Sequence, residues 1–212
     1  RGLVPRESPY AVGLRDTEKV NRLLSEMADE FLSRLLQSDI YTLNPFVNYM
    51  RVISKRLPRF RSCNSGLDYV TISATGEIYS CYKLLGVSDC RLGDVRTGFT
   101  QELPRKAWDR LHVAKRPFCN SCWARFICAG GCAADNRHLN NSYFDPAREN
   151  CSIFLHAIEL SIHIYFSLLK SAPNVLKQLL NDEFIHATDH PLRRDDILLM
   201  DEDGRVENSN TG

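Results

Sequence analysis

The sequence has no excess of charge of either sign. Its 212 residues include 27 Lys and Arg and 26 Asp and Glu, which gives a formal net charge of +1 at pH 7. Proteins that bind nucleic acid or anionic membrane surfaces through charge carry a clear basic excess. We therefore expect neither nucleic acid nor a membrane surface as a partner.

The sequence also lacks an uninterrupted apolar run and a recognisable signal peptide. Its longest apolar stretch, residues 153–169, contains His156, Glu159, Ser161 and His163, so no transmembrane span is expected. The chain begins at Arg1 rather than Met, and we expect it to be part of a longer, cytoplasmic protein. Its 43% hydrophobic content is enough for the core of one domain or two small ones.

Against this ordinary composition, the eight cysteines are conspicuous, because four of them fall within fourteen residues. Cys119, Cys122, Cys128 and Cys132 are separated by two, five and three residues. A Cys-x2-Cys pair places two sulfurs on one side of a single turn, where both can reach one metal ion or one cluster. The wider spacing that follows suits a loop around a bulky group, and Gly130-Gly131 lets backbone N–H groups approach sulfur. The pattern predicts a cysteine-rich iron–sulfur nest, by which we mean residues 119–132.

Two other uses of the cysteines are open at this stage. An even number of cysteines is compatible with disulfides, but disulfide-stapled domains are usually short and loop-rich, whereas this chain has long amphipathic segments. A structural zinc site is the main competitor. Zinc modules usually pair one Cys-x2-Cys with a second short pair, and the nest contains only one, which favours an iron–sulfur cluster.

Helical periodicity dominates most of the remaining sequence. It predicts a helix that starts near Asp16-Thr17 and a second from Asn44 to Leu57, followed by helices at residues 103–115, 149–170 and 173–184. The basic side chains near the end of the second helix, including Arg51, are expected to be solvated. Cys151 lies in the first turn of the helix at 149–170, where the helix dipole favours a thiolate. The expected buried stripes are Val20, Leu23, Leu24, Met27, Phe31 and Leu35 in the first helix and Phe46, Tyr49, Met50 and Ile53 in the second.

One segment alternates apolar and polar residues and predicts a β-hairpin. Its strands are residues 70–73 and 78–82, joined by a turn that includes Gly76. Cys63 precedes the first strand and Cys81 lies on the second. Cys90 follows in a polar turn with no second thiol nearby, so it is expected not to be a ligand. The predicted fold is α+β, mostly helical, with a small hairpin and the nest.

Taken together, the cysteines resemble a known family pattern. The order Cys-x12-Gly-x4-Cys, then Cys-x2-Cys-x5-Cys-x3-Cys, then a distant Cys is similar to the seven-cysteine pattern of the SPASM domain. This domain carries auxiliary clusters at the C-terminus of radical S-adenosylmethionine (SAM) enzymes that modify peptides and proteins. The likeness runs from about residue 60 to 155 and includes Gly76, Arg91-Leu92-Gly93-Asp94-Val95 and Cys122-Trp123-Ala124-Arg125.

The resemblance implies three parts. Residues 1–58 resemble the last helices of that family's partial (β/α) barrel, residues 59–170 would form the SPASM domain, and residues 171–212 a C-terminal helix and acidic tail. The SPASM part would bind two [4Fe–4S] clusters. Cys119, Cys122, Cys128 and Cys151 would hold the outer cluster, and Cys63, Cys81 and Cys132 the inner one, nearer the barrel. Either Cys90 completes the inner cluster or its fourth iron is open to solvent or a substrate thiolate, and we expect the open site.

The chain departs from the sulfatase-maturing members of this family in two places. Those enzymes have an acidic residue directly after the Gly-x4-Cys cysteine, where this chain has Tyr82, and an extra cysteine shortly after the first, where this chain has Gly66-Leu67-Asp68-Tyr69. A thioether-forming or otherwise cross-linking peptide maturase is therefore the closer expectation.

The chain also lacks the Cys-x3-Cys-x2-Cys motif that binds the SAM-cleaving cluster in this family. We expect the chain to be the C-terminal part of such an enzyme, inactive by itself, whose clusters relay an electron or position the peptide. SAM and a third [4Fe–4S] cluster would belong to the missing N-terminal part. The implied partners are a peptide or protein substrate and a reductant such as a flavodoxin or ferredoxin. A stand-alone electron carrier is a further alternative.

Overall fold

The computed structural model describes residues 13–100 and 110–181. The helices in these ranges are α1 (Thr17–Leu36), α2 (Phe46–Lys55), α3 (Pro117–Asn120), α4 (Arg125–Cys128), α5 (Ala133–Asn140), α6 (Arg148–Ser171) and α7 (Pro173–Leu179). The strands are β1 (Thr71–Ile72), β2 (Glu77–Tyr79), β3 (Arg91–Asp94) and β4 (Gly98–Phe99), with short 3-10 turns at Leu14–Asp16, Tyr82–Leu84, Ser88–Cys90 and Val113–Lys115. The prediction of an α+β fold is confirmed.

Four of the helices share one core. Helices α1, α2, α6 and α7 meet through a cluster of buried apolar side chains, which includes Phe31, Phe46, Met50, Ile164 and Leu168. The 3.6-residue spacing of these side chains puts them on one face of each helix. The periodicity therefore predicts both N-terminal helices correctly, although the bounds of α2 are tighter than expected.

Two details of the helical prediction are wrong. Leu23 and Met27, assigned to the buried stripe of α1, are 45% and 42% exposed. Arg51, expected to be solvated, is buried in α2, and its Nε and Nη2 atoms have no hydrogen-bond partner. A helix of intermediate amphipathicity can rotate its stripe by one position when a neighbouring helix packs better that way.

The strands form an antiparallel sheet in the order β1-β2-β3-β4. The predicted hairpin is present, with Thr71 opposite Tyr79 and Ile72 opposite Ile78. The sequence did not predict β3 and β4, because Arg91–Asp94 is short, charged and contains a glycine. Cys81 lies two residues after β2 rather than on it, and it precedes the 3-10 turn Tyr82–Leu84.

A second, smaller apolar cluster lies between the sheet and α5. Its buried members are Tyr79, Leu84, Cys90 and Ala134, and Cys81, Val87, Cys132 and Tyr143 pack against it. This cluster brings the segment after β2 against the start of α5. It thereby places Cys81 and Cys132 on the same side of the domain.

Helix α6 connects the cysteine region to the helical core. Its first turn carries Cys151, while Ile164 and Leu168 near its other end belong to the core. By length and apolar composition alone, the stretch Asn150–Ser171 is long enough to cross a membrane, a test that core helices also pass, and one third of that stretch is buried inside the protein.

The remaining predicted elements fall partly or wholly outside the described residues. Of the predicted helix at 103–115, residues 101–109 lie outside, and the rest forms the 3-10 turn Val113–Lys115. The predicted helix at 173–184 is described as α7 to Leu179. The acidic tail and residues 1–12 lie outside the described ranges.

Candidate metal centre

Four of the predicted ligands line one cavity. Cys119 at α3, Cys122 in the following turn, Cys128 at the end of α4 and Cys151 in the first turn of α6 surround a space of about 470 Å³. Tight turns set the first three sulfurs, because the N–H of Cys122 donates to the carbonyl of Cys119 at 2.9 Å. Helix α6 then brings Cys151 from a distant part of the sequence to the same cavity.

The backbone after Cys128 turns sharply into the left-handed region. Ala129, Gly130 and Gly131 have φ values of 56°, 80° and 71°. The N–H groups of Gly130 and Gly131 both lower the pKa of the Cys128 thiol, against the larger effect of burial, and the Gly131 N–H donates to the Cys128 carbonyl at 3.4 Å. Successive N–H groups in such a turn form an anion-binding concavity that is common at iron–sulfur sites. This geometry agrees with the expectation that the two glycines direct N–H groups at sulfur.

Both glycines also make room for neighbouring side chains. A Cβ on Gly130 would collide with Nη1 of Arg116, and a Cβ on Gly131 would lie 3.2 Å from Phe154 Cε2. An L side chain is disfavoured at both positions by φ as well. Only glycine satisfies both requirements here.

Burial raises the pKa of three of the thiols that face the cavity, Cys119, Cys128 and Cys151. The pKa of Cys151 rises to about 11, first through burial and then through the charges of Cys128, Cys119 and Cys122. Burial likewise raises the pKa of Cys119 and Cys128. The expected stabilisation of a Cys151 thiolate by the α6 dipole is therefore outweighed in the metal-free chain. Bound metal ions would favour the thiolate instead, because coordination to a metal deprotonates a thiol.

The other predicted ligands, Cys63, Cys81 and Cys132, do not line this cavity. Cys63 is exposed and acts electrostatically on Cys81, whose pKa is raised first by burial and also by the charge of Cys63. The Tyr69 hydroxyl is near both thiols, and its pKa rises to about 12 through burial and their charges. Cys81 and Cys132 pack against the same small apolar cluster. The three thiols thus share one neighbourhood.

A partly buried ion pair lies beside Cys132. Lys83 Nζ donates to Asp135 Oδ1 at 2.9 Å and approaches the Cys132 sulfur at 3.9 Å. Burial lowers the pKa of Lys83, but Asp135 and Cys132 outweigh it, so that the pKa lies above its usual value. Lys83 is therefore a fixed positive charge at this thiol.

Cys90 lies in the predicted turn, as the last residue of the 3-10 turn Ser88–Cys90, but its side chain is only 3% exposed. Its sulfur lies 2.6 Å from the Tyr143 hydroxyl and 3.6 Å from Asp89 Oδ1. After burial, which raises the pKa of Cys90, the Tyr143 hydrogen bond and the charge of Asp89 affect it most. The thiol is engaged by Tyr143 even though its residue shares an apolar cluster with Cys81 and Cys132.

Within residues 13–100 and 110–181, no three Cys, His, Asp or Glu side chains are close enough to hold a single metal ion. A tetrahedral zinc site has metal–sulfur distances of about 2.3 Å, so its sulfurs lie roughly 3.8 Å apart. In a four-iron cluster, each thiolate binds a different iron, and the sulfurs lie further apart. Four thiols spread around a roomy cavity fit a cluster better than one ion.

The donor set and the surroundings of the cavity fit an anionic iron–sulfur cluster. Four thiols converge on it, two glycine N–H groups point at one of them, and the cavity wall is mostly apolar, with Phe154 and Leu155 from α6. Such N–H groups and a dry wall are the features that set cluster potentials.

Sequence reasoning missed the charged and aromatic neighbours of the thiols. Arg116 and Lys83 approach them from outside the cysteine motif, and no spacing rule marks either residue. Tyr49 of α2 was predicted only as a packing residue, yet its pKa rises to about 12 through burial and the charge of Cys128. The signal for these residues is spatial, because it depends on how separate segments pack around the thiols.

Comparison with solved structures finds a shared fold with anSMEcpe, an anaerobic sulfatase-maturating enzyme. A polyhistidine-tagged form with bound AdoMet matches with a TM-score of 0.62 at 14% identity, over 85% of this chain and 47% of that one. The native form with bound AdoMet gives a TM-score of 0.58 at 14% identity, over 76% and 44%. The native form with AdoMet and the Kp18Cys peptide gives a TM-score of 0.54 at 14% identity, over 76% of this chain and 46% of that one.

The chain therefore spans about half the length of these solved proteins. Protein-family models give no match, and neither do curated proteins. At this identity the likeness concerns the fold alone, over 76% to 85% of this chain.

Proposed function

We propose that this chain binds two auxiliary [4Fe–4S] clusters as the C-terminal part of a radical SAM enzyme that modifies a peptide or protein. The observation that carries the proposal is the convergence of Cys119, Cys122, Cys128 and Cys151 on one cavity. The shared fold with an AdoMet-bound enzyme supports it. Cys63, Cys81 and Cys132 would hold the second, inner cluster.

The clusters and the residues around them would have different roles. The bound clusters supply one-electron transfer. The chain's own residues hold the thiolates apart, direct the Gly130 and Gly131 N–H groups at Cys128 and keep water from the outer site through the apolar side of α6. Because the ligands come from three separate segments, cluster binding would also fix the nest against α6 and the sheet.

The proposed substrate is a peptide or protein, as in the structural neighbour that holds the Kp18Cys peptide. Tyr82, 63% exposed beside Cys81, replaces the acidic residue of sulfatase maturases. The carboxylate in that region, Asp135, is paired with Lys83. A cross-linking or thioether-forming maturation is therefore proposed rather than formylglycine formation. The proposal includes a flavodoxin or ferredoxin as reductant, a cytoplasmic location, and SAM with a third cluster in the N-terminal part.

Anaerobic reconstitution tests the proposal. The chain should take up roughly eight iron and eight sulfide ions, as two four-iron clusters require, and the brown solution should bleach with dithionite. Tight zinc without sulfide after anaerobic purification would instead support a structural zinc module. As a control, a variant with Cys119, Cys122, Cys128 and Cys151 all changed to Ala should retain about half of the iron.

A further inference from the structure

We propose that Arg116 is the buried counter-cation of the outer cluster, a positioning residue that stabilises the negative charge of the cluster and raises its reduction potential. This inference rests on the proposed function, since it requires the cluster to be bound.

Arg116 is deeply buried, and no carboxylate among the described residues balances its charge. It is 2% exposed, among the largest fully enclosed side chains of the described chain. An arginine remains protonated inside a protein. Among the described residues, no carboxylate forms an ion pair with it. A buried unpaired charge is strongly unfavourable, so this position calls for a negative partner.

The hydrogen bonds of Arg116 fix its guanidinium group but leave some of its N–H donors without an acceptor. Nε donates to the carbonyl of Phe144 at 2.6 Å, and Nη1 donates to the carbonyl of Gly130 at 2.9 Å. Nη2 is buried and has no partner. The guanidinium is thus fixed in orientation by two carbonyls and retains unused donors.

The location of Arg116 points to the thiols as the missing negative partner. Its partner Gly130 lines the cavity of the outer cysteines. The Arg116 carbonyl also accepts the N–H of Cys119 at 2.9 Å, so Arg116 adjoins the first of the outer cysteines. On its other side, Arg116 lines a small space with Cys63 and Gly131. The guanidinium therefore lies between Gly130, which lines the outer cavity, and the small space lined by Cys63.

A cation held this way favours the more negative form of the cluster. Reduction adds one electron to a centre that four thiolates already make anionic. A nearby buried charge interacts with that electron with little screening. Removing the charge should therefore shift the outer cluster to a lower potential, while keeping a cation at the position should preserve it.

The test uses Arg116→Met, Arg116→Lys and, as a matched control, Arg51→Met. Arg51 is also a buried arginine with unpartnered nitrogens, but it lies on α2 and lines neither of these two cavities. Each reconstituted protein is titrated potentiometrically with detection by electron paramagnetic resonance (EPR), and iron and sulfide are counted first. In Arg116→Met, the reduced-to-oxidised ratio of the outer cluster at fixed potential should fall at least tenfold, which is about 59 mV for one electron.

The reduction potentials of the outer cluster in Arg116→Lys and in Arg51→Met should stay close to the wild-type value. If Arg116→Met loses the outer cluster while Arg116→Lys retains it, the requirement for charge is also supported. An unchanged outer potential in Arg116→Met, a shift of the inner cluster alone, an equal shift in Arg51→Met, or loss of the outer cluster in both Arg116 variants would overturn the proposal. Absence of iron and sulfide from the wild-type chain would overturn the proposed function itself, and this inference with it.

Discussion

Cys128 and Cys132 are four positions apart but have different neighbours. The backbone N–H groups of Gly130 and Gly131 act on the Cys128 thiol, which lines one cavity with Cys119, Cys122 and Cys151. Cys132 lies beyond the glycine turn and faces Lys83. The reversal of the chain at the two glycines separates the thiols that their spacing would otherwise bring together.

We therefore expect Cys128→Ala and Cys132→Ala to lose different clusters. Each variant should retain roughly half of the wild-type iron. EPR spectra of the reduced proteins should show complementary losses, with Cys128→Ala matching Cys151→Ala and Cys132→Ala matching Cys81→Ala. Identical spectra for the two variants would mean that the partition of ligands is wrong.

Gly130 offers a test of how closely Arg116 packs against the nest. Gly130→Ala places a Cβ against Nη1 of Arg116 at a φ of +80°. Gly86 is a matched control, because its φ is +78° and a Cβ there meets nothing within 4 Å. Left-handed φ should cost about 1 kcal/mol in both variants. The clash should add at least about 1 kcal/mol in Gly130→Ala alone.

Urea unfolding of the metal-free variants, followed by circular dichroism, measures this difference. Equal losses of stability for Gly130→Ala and Gly86→Ala would show that Arg116 does not need the space at Gly130.

Cys90→Ser should leave both clusters in place. The Cys90 sulfur is already engaged by the Tyr143 hydroxyl at 2.6 Å, and a serine hydroxyl can make the same hydrogen bond. Iron content and EPR spectrum should match the wild type, and Tyr143→Phe should behave in the same way. Added thiol should change the wild-type spectrum if the inner cluster has an open iron. Loss of one cluster in Cys90→Ser, or no effect of thiol, would instead make Cys90 the fourth ligand.

At the scale of elements, the two ends of α6 make different contacts. Residues near Ile164 and Leu168 are held by the helical core in any state of the metal site. The first turns, with Cys151 and Phe154, face the cavity of the outer thiols. The order of the first turns therefore depends on what occupies that cavity.

Cluster loading should protect the N-terminal turns of α6 from amide hydrogen exchange. We expect slower exchange for residues 148–157 in the reconstituted chain than in the metal-free chain, and little change for residues 162–170. Cys151→Ala should abolish the difference. Equal protection along the whole helix in both states would show that the helical core alone orders α6.

The elements that the sequence predicted are those with strong periodicity. Helices α1 and α2 follow from regularly spaced apolar residues, and β1 and β2 follow from alternation around Gly76. The strands that the sequence did not predict are short or charged. Strand β3 has Arg91 and Asp94 at its ends, and it is a strand because it pairs with β2 rather than because of its own propensity.

The candidate site was predictable only as far as spacing carries geometric information. The Cys-x2-Cys pair constrains a local turn and groups Cys119 with Cys122, whereas the grouping with Cys128 and Cys151 followed only from the resemblance. Burial of Cys90 and the approach of Arg116 depend on tertiary packing around Tyr143 and Gly130. No local pattern marks such contacts, since the partners lie 53 and 14 residues apart in the chain.

At the scale of the whole molecule, the metal-free chain carries an electrostatic conflict. Burial raises the pKa of Cys81, Cys119, Cys128, Cys132 and Cys151. The thiols are therefore held protonated in the folded state, whereas cluster binding requires thiolates. The free energy of unfolding of the metal-free chain should consequently be higher at low pH than at high pH, whereas that of the loaded chain should not depend on these thiol protons.

Stability of the metal-free chain should thus fall as the pH rises above the ordinary thiol pKa of 9.0. The unfolded chain then loses thiol protons, while folded Cys151, with a pKa of about 11, keeps its own. The folded state binds more protons, so the free energy of unfolding decreases with pH in this window. Urea unfolding at about pH 8 and about pH 10 measures the fall. The free energy of unfolding of Cys151→Ser should fall less steeply with pH. The thiols of the cluster-loaded chain have already lost their protons, so its free energy of unfolding should not fall for this reason. If metal-free wild type is equally stable at both pH values, burial does not hold the thiols protonated in the folded chain.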